Sequence, residues 1–104
     1  MAKAIVDAGV CGFITEIEAT SDDMTTVILR ITSECPAYSY LKDDEFEFDA
    51  FECCFSKLGE NPVYELFRKT SIHAACVVPA AAIKAMEVAC DLALPRDTTI
   101  KISR

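Results

Sequence analysis

The 104-residue chain has only three glycines and one histidine, and none of its apolar runs is long enough to form a signal-peptide core or to span a membrane. It also has no glycine-rich phosphate loop, and a single histidine offers no suggestive Ser-His-Asp order. These absences argue against a nucleotide-binding loop, hydrolytic-triad chemistry and a membrane location. We therefore predict a cytoplasmic protein, and more readily a binding or carrier protein than an enzyme.

Basic residues are few relative to acidic ones: 10 Lys and Arg stand against 17 Asp and Glu, giving a formal charge of −7. A chain with this charge repels phosphate backbones and anionic membranes, so we expect neither nucleic acid nor a membrane as a partner. The acidic run "KDDEFEFDAFE" lacks the loop glycine and the ligand spacing of a calcium site. It is more typical of a solvated helix face or a partner surface.

Cysteine, by contrast, is abundant, with six residues in a chain that is 52% apolar. A chain of this length can bury a core without disulfides or metals as structural staples, so we predict a single domain over residues 1–104. Without an export signal, the cysteines are expected to be free or metal-bound thiols in a reducing compartment.

Two alternating segments predict β-structure near the N-terminus, after a short first strand over residues 3–7. In the first segment, residues 13–19, Phe13, Ile17 and Ala19 share a face. In the second, "MTTVILRIT", the shared face carries Thr25, Val27, Leu29 and Ile31. The turn residues "TSDD" between the two segments indicate an antiparallel hairpin.

The central part of the chain carries helix signals. Pro36 suits the first position of a helix, the spacing of Phe48, Phe51, Phe55 and Leu58 predicts an amphipathic helix ending at Gly59, and Asn61 with Pro62 opens another. Pro79 is expected to begin the longest helix, through Leu92. "TTIKISR" alternates again and predicts a final strand. The fold class that follows is α+β, a small antiparallel sheet with helices packed on one face and an extra C-terminal strand.

Three of the six cysteines are interpreted as apolar filler of helices: Cys53, Cys54 and Cys90. Cys54 is placed toward the core by its spacing from Phe51 and Leu58, and free cysteine is among the most buried residue types.

The other three cysteines lie next to breaks in regular structure. Cys11 precedes Gly12, Cys35 immediately precedes a predicted helix start, and Cys76 lies three residues before another. The unpaired N–H groups and partial positive charge at a helix start stabilise a thiolate, which is the form that binds metal or attacks sulfur. Their separations of 24 and 41 residues do not match a C-x-x-C zinc pattern.

Three stretches of the sequence resemble a known family. "VCGFITEIEA", "ILRITSECPAYSYL" and "SIHAACVVPAAAIKAMEVA" are similar, in this order, to the three cysteine segments of the iron-sulfur cluster scaffold family, which includes IscU and the N-terminal domain of NifU. The similarity covers about residues 5 to 90. The chain has Phe13 where the family has aspartate, Ala75 where it has histidine, and "FRKTS" where it has a chaperone-recognition segment, as a divergent relative would.

The resemblance implies that Cys11, Cys35 and Cys76 converge to hold an iron-sulfur cluster or zinc, since soft thiolates select both. His73, the single histidine, is a candidate fourth ligand, and Glu34 is a weaker one. A cysteine desulfurase or an iron-sulfur acceptor protein would then be the partner.

Two other functions remain open at this stage. One is a persulfide sulfur-acceptor or relay protein, in which Cys35 or Cys76 acts alone. The other is a metal-free interaction module that binds a partner through its acidic, aromatic-rich segment. A Cys76 and His73 nucleophile pair is a further arrangement whose geometry the sequence does not define.

Overall fold

The computed structural model describes all residues from Met1 to Arg104. Its four strands are β1 (Ala2–Asp7), β2 (Ile14–Thr20), β3 (Thr26–Ser33) and β4 (Phe46–Asp49). Each strand pairs antiparallel with the next, so the sheet order is β1-β2-β3-β4 and the two edges are β1 and β4. This meander confirms the predicted antiparallel hairpin of β2 and β3.

Three α-helices follow the strands: α1 (Ala50–Cys54), α2 (Pro62–Arg68) and α3 (Val78–Ala89), with a short 3-10 helix at Ser39–Leu41. The 12-residue helix α3 packs mainly against β1 and β2, and both α1 and α2 contact it. The α+β class with helices on one face of a small antiparallel sheet is therefore confirmed. None of these helices has the length and apolar character that crossing a membrane requires.

The core lies between the sheet and the helices. The inward positions of β2 and β3 alternate as predicted, because Ile17 is paired with Ile31, Ala19 with Leu29, and all four side chains are fully buried. The helices and the segments flanking them close the core with a second set of buried side chains: Tyr38, Leu41, Ala50, Cys53, Val63, Phe67, Val78, Ala82, Ala85, Met86 and Cys90. Polar residues of the strands alternate onto the opposite, solvent-facing side of the sheet.

The segment predicted as one amphipathic helix ending at Gly59 is different in the structure. Its first part is strand β4, because Phe46 and Phe48 alternate with acidic residues and pair with Leu29 and Val27 of β3. The Asp49 side chain then accepts hydrogen bonds from the N–H groups of Phe51 and Glu52, at 2.9 and 3.2 Å, and so starts helix α1 at Ala50.

Because the helix starts at Ala50, the residues that face the core differ from those predicted. Ala50 and Cys53, three residues apart, face the core, while Cys54 is only half-buried. Phe51, Phe55 and Leu58, which were expected in the core, are instead 47%, 66% and 92% exposed. Cys54, which was predicted to face the core, does pack against it, but Cys53 is the fully buried cysteine of this helix.

The two proline-initiated helices that follow are confirmed with small changes of boundary. The Asn61 side chain accepts from the N–H groups of Val63 and Tyr64, both at 3.0 Å, and Pro62 opens α2. Helix α3 begins one residue before Pro79 and ends at Ala89, three residues short of the predicted end.

Two other predicted elements do not form as expected. The segment after Pro36 contains only the 3-10 helix Ser39–Leu41, and Tyr38 and Leu41 are buried there at a spacing of three. The predicted C-terminal strand is absent, because residues 94–104 make no backbone hydrogen bond with any part of the chain. The alternating pattern of that segment suits a strand, but a strand also requires a neighbour to pair with.

Candidate thiol site

Cys76 lies in the segment between α2 and α3, two residues before α3 begins. Its N–H donates to the carbonyl of His73 at 3.1 Å, closing a turn that sets the direction of the chain into the helix. The residue is half-buried and packs against the core. The thiol thus has a fixed backbone, while part of it remains open to solvent.

Tyr38 is the polar neighbour of this thiol. Its hydroxyl donates a hydrogen bond to Sγ of Cys76 at 3.3 Å. The residue is 1% exposed, and its ring meets the ring of Phe67 edge-to-face, with centroids 5.1 Å apart and planes at 77°. Packing therefore holds the tyrosine in place, and the position of its hydroxyl at the sulfur does not depend on the hydrogen bond alone.

Cys35 begins the turn that carries Tyr38. Its carbonyl accepts from the N–H groups of Tyr38 and Ser39, at 2.9 and 2.8 Å, and its own N–H donates to Oγ of Ser33 at 3.1 Å. The residue is half-buried and packs against the core. Cys35 and Tyr38 are therefore parts of one small rigid turn at the end of β3.

Both thiols influence the Tyr38 hydroxyl. Burial is the main cause that raises the pKa of Tyr38 to about 12, and the hydrogen bond to Cys76 and negative charge on Cys76 and Cys35 raise it further. A hydrogen bond with Ser71 acts in the opposite direction. Tyr38 is thus joined to Cys35 through the backbone of its turn and to Cys76, 41 residues after Cys35, through its hydroxyl.

A cavity of about 300 Å³ opens beside Cys76. Its lining combines aromatic and polar side chains with the thiol, including Tyr38, Tyr64, Phe67, Arg68 and His73. Its volume is at the small end of the range typical of ligand pockets. A group of the size of an amino-acid side chain can therefore approach Sγ of Cys76 from solvent.

The remaining predicted ligands are placed as follows. Cys11 is exposed in the turn between β1 and β2, next to Gly12 at φ +72. His73 is exposed but lines the cavity beside Cys76. The Oε1 of Glu34 accepts from the N–H of Ile14 at 2.8 Å and so ties the end of β3 to the start of β2.

The four predicted ligands Cys11, Cys35, Cys76 and His73 are not gathered into one set. No group of three or more His, Cys, Asp or Glu side chains lies close enough together to hold a metal ion. What the fold assembles instead is smaller: two cysteines around one buried tyrosine, with a histidine at the rim of the adjoining cavity.

The three cysteines interpreted as apolar filler form a separate group between α1 and α3. Cys53 and Cys90 are 2% and 3% exposed, and Cys54 is half-buried and packed against the core. Burial, helped by the charge of Glu52, raises the pKa of Cys53 to about 11. Burial, helped by the charge of Glu87, raises the pKa of Cys54 to about 12. The thiols of Cys53 and Cys54 therefore remain protonated at neutral pH.

Tyr38 is the functional residue that reasoning from the sequence missed. It follows Cys35 by three residues in "CPAY", a spacing that places two side chains on one side of a helical turn. That spacing could have drawn attention to the tyrosine. Its hydrogen bond to Cys76, 38 residues further along, depends on the tertiary fold and has no local signal.

Comparison with known proteins adds a family but no activity. The model of a family described as being of unknown function, DUF6951, matches residues 2–102. The chain belongs to this family. No curated protein and no solved structure matches the chain. The resemblance of this DUF6951 member to the iron-sulfur scaffold family accordingly stays a prediction from its cysteine segments.

Proposed function

We propose that this protein is a sulfur carrier that accepts one sulfane sulfur on Cys76 and holds it as a persulfide. The observation that carries the proposal is the hydrogen bond of 3.3 Å from the buried Tyr38 hydroxyl to Sγ of Cys76, at the rim of an open cavity. A donor in this position favours the thiolate, which is the nucleophilic form of cysteine.

Two further features support the choice of Cys76 as the acceptor. The pKa of Tyr38, raised to about 12, keeps the hydroxyl protonated at neutral pH, so that it remains a hydrogen-bond donor. Helix α3 begins at Val78 without any side chain capping its first turn, and the free N–H groups of a helix start favour nearby negative charge. The first feature keeps the donor available to the sulfur, and the second places the start of α3 two residues after Cys76.

The loading step requires no oxidant or reductant beyond the donor persulfide. The Cys76 thiolate attacks the terminal sulfur of a donor R–S–SH, and a bond forms between Sγ and that sulfur. The S–S bond of the donor breaks, its electron pair leaves with the donor thiolate, and the hydrogen stays on the transferred sulfur. Tyr38 then donates its hydrogen bond to the modified Sγ, and the cavity accommodates the added atom.

A cysteine desulfurase is the donor that this chemistry fits, because such enzymes form a persulfide on their own cysteine. An iron-sulfur acceptor protein would be the next partner: its thiolate attacks the outer sulfur of the Cys76 persulfide, and the Cys76 thiolate leaves with the electron pair of the broken S–S bond. A cytoplasmic location belongs to the same proposal, since a reducing compartment suits a protein whose six cysteines are all free.

The test is incubation of the protein with a cysteine desulfurase and cysteine, followed by site-resolved mass spectrometry. We expect the mass of one added sulfur atom on the peptide that contains Cys76. The adduct should persist in Cys35→Ser and Cys11→Ser and disappear in Cys76→Ser. A wild-type protein that gains no sulfur, or gains it equally at Cys11 and Cys76, would contradict the proposal.

Metal or cluster binding is the second candidate, and the proximity of Cys35 and Cys76 to one tyrosine favours it. Two thiolates supply half of a four-ligand zinc or cluster site, with Cys11 and His73 as the predicted remaining ligands. Iron, zinc and acid-labile sulfide per chain, measured after anaerobic expression beside Cys76→Ala, test this candidate. Metal in the parent and not in the variant would support it, with sulfide distinguishing a cluster from zinc.

A further inference from the structure

The C-terminal segment has the pattern of a strand but no partner in its own chain. Residues 94–104 make no backbone hydrogen bond, and Leu94, Ile100 and Ile102 are 87%, 67% and 90% exposed. Ile100 and Ile102 alternate with polar residues in "TTIKIS". Such a segment gains both backbone hydrogen bonds and apolar burial when it adds to the edge of a sheet.

Strand β4 offers an edge of matching pattern. It lies at the end of the sheet, and its only backbone ladder is the one with β3. Its register with β3 places Phe46 and Phe48 on the core face, beside Leu29 and Val27, and both are half-buried. Glu47 lies on the opposite, solvent-facing side and is exposed.

An open groove of about 740 Å³ continues this edge toward α2. Its apolar lining includes Phe46, Phe48 and Leu66. Its charged lining is mainly acidic. Two basic residues, Arg68 and Lys69, stand against five glutamates: Glu45, Glu47, Glu52, Glu60 and Glu65. Two of the five glutamates are already paired, Glu65 with Arg68 and Glu45 with Arg30. Glu47, Glu52 and Glu60 remain against Lys69. The groove therefore combines an apolar floor with an excess of negative charge.

The charge of the C-terminal segment is the opposite. Residues 96–104 contain three of the ten basic residues, Arg96, Lys101 and Arg104, and only one acid, Asp97. The rest of the chain carries the other sixteen acids, since the total is 17. Attraction between a basic segment and an acidic edge steers their encounter and suppresses wrong pairings.

We propose that the segment Asp97–Ser103 of one copy adds as a fifth strand to the β4 edge of a second copy, with the flanking Arg96 and Arg104 supplying the net positive charge. Ile100 and Ile102 would then lie beside Phe46 and Phe48 on the core face, and Lys101 beside Glu47 on the outer face. A sheet is stabilised when an aromatic residue lies across from a β-branched residue on the neighbouring strand, or when opposite charges lie across from each other. Reciprocal exchange satisfies both segments and closes the assembly as a symmetric dimer.

A second copy is favoured over the same chain because the segment that follows α3 docks on neither edge of the sheet in its own chain. The segment and the β4 edge therefore both remain free to pair with a neighbouring molecule.

The test is sedimentation equilibrium of the full chain over a dilution series, with reducing agent present to prevent disulfides. We expect reversible dimers for the wild type. Lys101→Glu and Glu47→Lys should each weaken dimerisation by about tenfold or more, because each places like charges side by side. The matched controls are Lys84→Glu, on the exposed face of α3, and Asp22→Lys, in the exposed turn between β2 and β3, and neither should change the dissociation constant.

Mixing the two single variants is the decisive arm. In the mixed pair, the carboxylate that Lys101→Glu introduces on one chain meets the ammonium that Glu47→Lys introduces on the other. The reciprocal site keeps the wild-type pair, so dimers should return to the wild-type dissociation constant. A monomeric wild type, a mixture that stays monomeric, or controls that weaken dimerisation equally would each overturn the proposal. A monomer with residues 97–103 protected from hydrogen exchange would show docking within one chain and would also overturn it.

Discussion

The two groups of cysteines in this protein lie on the same fold but in opposite environments. Cys53, Cys54 and Cys90 lie between α1 and α3, where burial raises the pKa of the first two and no hydroxyl donates to their sulfur. Cys76 is half-buried beside a cavity, and its sulfur accepts a hydrogen bond from the Tyr38 hydroxyl. The six thiols thus differ in hydrogen-bond partner and in access to solvent, which are the two properties that control the reactivity of a cysteine.

The same comparison separates what Tyr38 does for stability from what it does for the sulfur. Its ring belongs to the core through Phe67, whereas its hydroxyl belongs to the thiol site. Tyr38 therefore has two separable roles, one in the core and one at the thiol site. Substitutions at this position can affect one role without the other.

The largest expected effect is that of Tyr38→Ala on stability. Removing a fully buried aromatic ring should lower the free energy of unfolding by about 3 to 5 kcal/mol, because the lost contacts leave a cavity against Phe67. Tyr38→Phe retains the ring and should change the stability by less than about 1.5 kcal/mol. Urea unfolding of both variants checks this, and equal losses would show that the hydroxyl, not the ring, holds the core.

Substituting the structural cysteines should have an intermediate effect. Cys53→Ser places a hydroxyl in an apolar site that is 2% exposed and should cost about 1 to 3 kcal/mol of stability. Cys11→Ser is the matched control, since Cys11 is exposed, and should stay within about 0.5 kcal/mol. Thermal or urea unfolding measures both, and a Cys11 variant as unstable as the Cys53 variant would remove the distinction between the regions.

The smallest expected effect is a loss of stability at alkaline pH that comes from the buried cysteines Cys53 and Cys54. Burial and Glu52 raise the pKa of Cys53 from 9.0 to about 11, so the unfolded thiol ionises while the folded one keeps its proton. The resulting stabilisation is fully present below about pH 9 and is lost as the pH rises through about 11. Urea unfolding across this range should show a falling free energy, with a shallower fall in a Cys53→Ala, Cys54→Ala double variant.

A slope that is identical in the parent and in that double variant would contradict the alkaline prediction. Tyr38 also lowers the free energy of unfolding as the pH rises from its ordinary pKa of 10.0 to its raised pKa of about 12. This part of the fall should remain in the double variant.

The sequence predicts the parts of the fold that depend on local patterns. Alternation in β2 and β3 and the Asn61-Pro62 cap of α2 were correct because neighbouring residues carry the whole signal. The error at residues 46–59 has the same origin, since Phe48, Phe51 and Phe55 also fit a helical spacing. Pairing of β4 with β3 and the cap at Asp49 decided between the two periods.

The site was predictable only in part. Proximity to predicted helix starts singled out Cys35 and Cys76. Helix α3 does begin two residues after Cys76, but only a 3-10 helix follows Cys35, and Tyr38 is hydrogen-bonded to both residues. Cys11 carried a similar local signal from Gly12, yet it lies in an exposed turn outside that site. Which thiols meet is decided by strand order and helix packing, and a single sequence does not encode these in its local spacing.

The most direct test of the central claim is the rate of alkylation of each cysteine in the native protein, followed at neutral pH by site-resolved mass spectrometry with a small haloacetamide. We predict that Cys76 reacts faster than Cys53, Cys54 and Cys90, and that Tyr38→Phe slows Cys76 by about tenfold, the worth of a hydrogen bond to a charged group. A Cys76 rate that equals those of the buried thiols, or that is unchanged in Tyr38→Phe, would contradict the account.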